Sequence, residues 1–125
     1  ATSTLQNNWS MNDDKIAKFL YDILVCTERV ESFFEGGPKI FEDFNKNYMM
    51  RQAVERNIEI MGEAMKNILQ IDPDIRITNA RKIVDARNYI IHAYDSLSAD
   101  ILWSIVINHI PLLHDEVKML LGIDD

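Results

Sequence analysis

A chain of 125 residues, 47% hydrophobic and 26% charged, is long enough to build one globular domain around a real core. Its net charge of −7 argues against a general nucleic-acid binder, and no apolar run approaches the length of a membrane span. A single cysteine, Cys26, excludes an internal disulfide, suits a reducing cytoplasm and reads as a small core hydrophobe.

Residues 1–10 are polar and aperiodic and read as a mobile tail or a remnant foreign to the native chain. Met11 is then the candidate native start, and residues 11–125 form a single helical domain. Ser10 and Asp13 resemble a helix N-cap, with Asp14 also favourable in the first turn. Ile16, Phe19, Leu20, Ile23, Leu24, Thr27, Val30 and Phe34 then recur at helical spacing, and Gly36-Gly37-Pro38 ends this first helix. Lys39 to Lys46 is a connector with room for one helical turn. A second helix is predicted over 47–69, with Met50, Val54, Ile58, Met61, Met65 and Ile68 as its inward stripe. These methionines read as core packing rather than as a cofactor box.

Asp72-Pro73-Asp74 breaks the chain, and Thr78 or Asn79 can cap a third helix reaching Tyr94 or beyond. Ser98 with Asp100 opens a fourth helix that ends near Gly122. Pro111 lies inside it and predicts a kink. The expected architecture is all-α, an antiparallel four-helix bundle with room for one short extra helix.

The chemistry concentrates on the third helix, in Arg87-Asn88-Tyr89-Ile90-Ile91-His92-Ala93-Tyr94. Arginine is permanently charged and matches phosphate geometry, while histidine exchanges a proton near neutral pH. Together they can cleave a phosphodiester without a metal. Between Ile75 and Tyr94 the cations Arg76, Arg81, Lys82 and Arg87 face only Asp85, so the basic stretch of this acidic chain coincides with the candidate site.

On a helical wheel Ile83, Val84, Ile90, Ile91 and Tyr94 share an apolar arc with Arg87 in its middle. Arg81, Asp85, Asn88 and His92 share the opposite arc. Arg87 and His92 are thus held roughly 140° apart on a regular helix. An arginine on an apolar arc needs a carboxylate, a phosphate or an interface, and Glu55, Glu59 and Glu63 on the second helix are its candidate partners. His109 and His114 lack zinc-ligand spacing with each other or with Cys26, and no metal or other cofactor is implied.

The stretch from Arg81 to Tyr94 resembles the signature of the HEPN superfamily, an arginine followed by a polar residue with a histidine a few positions on. Its His92-Ala93-Tyr94 ending resembles the HepT-like toxin branch. Similar stretches occur at Arg51 to Ala64 and at Asp100-Ile101-Leu102-Trp103 leading to Ile110-Pro111-Leu112-Leu113, so the likeness runs from roughly Asp13 to Leu121 in consistent order. The resemblance implies a helical bundle that acts as a ribonuclease toxin, with Arg87 and His92 catalytic and Asn88 in support. It further implies a homodimer, RNA as substrate, and a nucleotidyltransferase antitoxin for which Tyr94 is the modification site. The alternative is a catalytically inert helical partner or substrate of such a nucleotidyltransferase.

Overall fold

The computed structural model describes residues 11–92 and 97–123. Helix α1 spans Met11–Ser32, a short α2 spans Phe41–Lys46, and α3 spans Tyr48–Ile71. Helix α4 follows at Ala80–His92, then α5 at Ala99–Ser104, a π-helical turn at Ile105–His109, and α6 at Ile110–Leu121. The long helices form the expected bundle, and α2 is the short extra helix.

Local chemistry accounts for these boundaries. Asp13 and Asp14 sit in the first turn of α1 and Arg29 in its last, each matching the helix dipole. The chain leaves α1 through Glu35 and Gly36, whose φ angles of 52° and 71° are left-handed. Asn47 ends α2 and caps α3, its side-chain oxygen accepting from the Met50 N–H at 3.0 Å. Ser98 caps α5 through the Ile101 N–H. Gly122, at φ 70°, closes α6, and Ile123 N–H donates to the Lys118 carbonyl at 3.0 Å, the bond of a Schellman ending.

Specific contacts define the start of α4 and the surroundings of Pro111. Thr78 does not cap α4: its backbone N–H and hydroxyl both donate to Glu116 on α6, the hydroxyl at 2.7 Å, tying the α3–α4 connection to the last helix. The Asn79 carbonyl instead accepts from Ile83 N–H at the start of α4. Around Pro111 the chain takes a π turn, with Ile110 N–H bonding back to the Ile105 carbonyl. Pro111 then falls in the first turn of α6, where its missing N–H is not needed.

Helix α3 is the axis of the bundle. Val54, Ile58, Met61, Met65 and Ile68 are fully buried and meet α1 on one side and α4 on the other. The methionine stripe is core. Ile23 and Val30 of α1, Ile83 of α4 and Val106, Ile110 and Val117 of the last helical stretch complete it. At one end Phe34, Phe41 and Phe44 surround Trp103, with ring centroids 6.2, 5.8 and 5.2 Å away. Cys26 is buried, and burial raises its thiol above the usual range.

Candidate active site

Helix α4 returns antiparallel along α3, so its C-terminal half lies beside the N-terminal half of α3. The closest approach is at Gly62: a Cβ there would fall 2.2 Å from Arg87 Cβ and 3.0 Å from the Ile83 carbonyl oxygen. The absent side chain lets the backbones approach and seats the base of Arg87 directly on α3.

Arg87 leaves the apolar arc between Ile83 and Ile90, and only 18% of its side chain is exposed. Its guanidinium reaches Glu63 Oε2 at 2.7 Å. A second nitrogen, Nη1, donates to Asn88 Oδ1 at 2.9 Å. The arginine is thus fixed by a carboxylate on one helix and an amide on its own.

The structure narrows one reading of the sequence here and changes another. Of the three glutamates considered as partners for Arg87, only Glu63 reaches it. Glu59 pairs with Arg56 on its own helix at 3.1 Å, and Glu55 is buried elsewhere. Asn88, placed in support of the catalytic pair, accepts from Arg87 Nη1. Ile91, assigned to the buried arc, is 42% exposed.

His92 is the last residue of α4 and is exposed. It lies five residues beyond Arg87, about 7.5 Å further along the helix axis. Exposed Tyr89 and Ile91 flank it. Tyr94, the candidate modification site, lies outside the described residues.

Sequence reasoning gave no role to two further residues at this end of the molecule. Gly62 had a visible signal, an interior glycine in a strongly periodic helix, where it costs about 1 kcal/mol against alanine. His109, in the π turn, lines a groove of about 390 Å³ with Lys82, Asp85, Tyr89, Ile101 and Ser104. Its Nδ1 is buried without a hydrogen-bond partner, and burial, seconded by the charge of Lys82, lowers its pKa. Among the described residues no three His, Cys, Asp or Glu side chains come together as a metal site, and no helix is long and apolar enough to cross a membrane.

Fold and site together define a helical-bundle domain presenting an anchored arginine and an exposed histidine on one helix. The family described as Ribonuclease HepT-like matches residues 23–120, and the chain belongs to it. The chain is 34% identical over 113 residues to a Methanocaldococcus jannaschii protein named "Putative RNase MJ1380", covering 87% of this chain and 99% of that one. It is also 34% identical over 106 residues to a Thermococcus cleftensis protein named probable ribonuclease HepT, covering 82% and 92% of the two chains. A Caldanaerobacter subterraneus protein named "Putative RNase TTE0752" is 33% identical over 85 residues, covering 65% and 73%. No solved structure matches the chain.

Proposed function

We propose that this ribonuclease is a metal-independent endoribonuclease toxin whose cleavage is carried by Arg87 and His92. The observation that supports this most directly is the fixing of Arg87 by Glu63 and Asn88, one to two turns before an exposed imidazole. Neutral His92 takes the proton from an RNA 2′-hydroxyl, and the 2′-oxygen attacks the adjacent phosphorus. Arg87 stabilises the charge that grows on the non-bridging oxygens. The P–O5′ bond breaks, and the leaving oxygen is protonated to a 5′-hydroxyl, leaving a 2′,3′-cyclic phosphate. DNA, which lacks the attacking hydroxyl, is spared.

The chain acts as a homodimer in the cytoplasm. Two copies related by a two-fold axis bring two Arg87 and two His92 side chains to one cleft, so one imidazole serves as base and the other as acid. The exposed Tyr89 and Ile91 beside His92 supply apolar surface for that contact.

A nucleotidyltransferase antitoxin silences the site through Tyr94. The phenol oxygen attacks the α-phosphorus of ATP, pyrophosphate leaves, and AMP is attached two residues from His92. The added negative charge then repels the RNA backbone. An RNA cleavage assay with chelator present tests the catalytic reading. Activity should persist in chelator and vanish in His92→Ala. Activity that survives His92→Ala, or that depends on added metal, overturns it.

A further inference from the structure

Glu55 takes no part in the Arg87 and His92 chemistry. It is 7% exposed and, among the described residues, makes no hydrogen bond or ion pair. It lines a cavity of about 250 Å³ with Asn45, Tyr48, Arg51, Gln52 and Leu97. The polar neighbours are committed elsewhere. Arg51 donates to the Asn45 carbonyl and lies 5.6 Å from the Tyr48 ring centre, and Gln52 donates to the Tyr48 hydroxyl at 2.9 Å. Its carboxylate oxygens are not among the fully enclosed polar atoms, so the acid opens onto this cavity, and no described residue donates to it there; a ligand carrying hydrogen-bond donors matches it.

Along the bundle axis the pocket and the end of α4 lie at similar heights. Glu55 precedes Gly62 by seven residues on α3, about 10 Å along the axis, and Gly62 sits against Arg87. His92 lies about 7.5 Å from Arg87 in the same direction, because α4 runs antiparallel to α3. Along the bundle axis the mouth of the pocket therefore lies about 3 Å beyond the level of His92. At its mouth Tyr48 is 64% exposed, yet its ring is held by Arg51 and Gln52. An exposed but fixed aromatic ring is a platform for base stacking.

We infer that this pocket is a base subsite that selects guanine, with Glu55 reading the Watson–Crick edge and Tyr48 stacking on the base. A carboxylate only accepts hydrogen bonds. Guanine presents two adjacent donors, N1–H and the N2 amine, that match its two oxygens. Adenine and cytosine place a ring acceptor beside their single amine, and the one imide N–H of uracil lies between two carbonyls. The inference takes its biological sense from the ribonuclease reading but is read out by binding alone.

The test is an NMR titration of the full chain with 5′-GMP, AMP, CMP, UMP and, separately, arginine amide. GMP should bind roughly tenfold or more tightly than the other nucleotides, the worth of one good bidentate pair, and should shift the signals of Gln52, Leu97 and Ala99. Glu55→Gln should abolish that preference, and Tyr48→Ala, at an exposed position, should weaken GMP without harming the fold. In His92→Ala the preference for GMP over the other three nucleotides should persist while RNA cleavage is lost, so loss of cleavage and loss of guanine selection are separate results. Equal binding of all four nucleotides, or a GMP preference that survives Glu55→Gln, overturns the assignment. Shifts caused by arginine amide and not by GMP would also overturn it, giving the pocket to a guanidinium-bearing polypeptide.

Discussion

Gly62 and Arg87 are in backbone-to-side-chain contact across two helices: any Cβ at position 62 would overlap Arg87 Cβ at 2.2 Å and Cγ at 2.8 Å. The atoms in the way are the root of a side chain and a nearby carbonyl, not the flexible end of a chain, so one helix must move. Helix propensity alone says that Gly62→Ala should stabilise α3 by about 1 kcal/mol. The overlap says the opposite and is the larger effect, since overpacking costs about 1–3 kcal/mol. We expect Gly62→Ala to lower the melting temperature by roughly 5 °C or more and to remove most RNA cleavage by displacing Arg87. Thermal melts and cleavage rates on the purified variant check both signs.

Glu63 touches no substrate in the proposed mechanism; it positions Arg87. Its side chain is 48% exposed, so solvent screens the ion pair, and Glu63→Gln should cost less than about 1 kcal/mol of stability. Its kinetic effect should divide in a characteristic way. Freed from the carboxylate, Arg87 should bind RNA as tightly or more tightly, while kcat falls by roughly tenfold because the guanidinium loses its direction. A rise in KM with kcat unchanged would contradict the positioning role.

His92 is exposed at a helix end, so its removal should be silent in stability and severe in activity. His92→Ala should lower cleavage by about a hundredfold or more, the usual worth of a general base, with an unchanged melting temperature. Arg87→Ala should lose activity and stability together, because Arg87 also covers the gap above Gly62. Parallel melts and assays on the two variants separate these outcomes.

The bundle was legible in the sequence because its signals repeat. Met61 and Met65 were core by spacing, Ser98 was a cap by chemistry, and Gly122 closed the last helix by its backbone freedom. The details of the site were less legible, for specific reasons. Glu55, Glu59 and Glu63 follow one another at four-residue steps on one face, so spacing could not say which of them meets Arg87. The register between α3 and α4 decides it, and Gly62 fixes that register. Ile91 fits an inward arc on a wheel, but a wheel records spacing and not which neighbour covers each position. The π turn before Pro111 depends on one shifted backbone bond that no residue pattern announces.

That π turn carries a pH prediction through His109. Its pKa is lowered from 6.5 by burial and by Lys82, so the unfolded chain takes up a proton before the native protein does. The contribution of the neutral ring is therefore present above about pH 6.5 and is lost as pH falls through the native pKa. The groups facing it in the groove are Lys82 and Asp85 of α4 with Tyr89 and Ser104. Urea melts of the parent chain should show stability falling between pH 7 and pH 5. His109→Gln should show a shallower fall. An identical slope in both proteins would remove His109 as the source.

The last prediction concerns the exposed end of α4. Arg87 and His92 diverge by roughly 140° around one helix, so a single copy does not aim both at the same phosphate along one line of sight. Beside them Ile91 is 42% exposed and Tyr89 52%, an apolar pair flanking a polar catalytic residue. If a second copy covers this surface, a charge placed at its centre should prevent association without disturbing the bundle, because Ile91 contributes little to the core of its own chain. Ile91→Asp should therefore sediment as a monomer at micromolar concentration, keep its helical content, and lose RNA cleavage by about a hundredfold through loss of the second imidazole. The parent chain should sediment as a dimer under the same conditions. A fully active monomer, parent or variant, would overturn the shared-cleft arrangement while leaving the roles of Arg87 and His92 to be tested on their own.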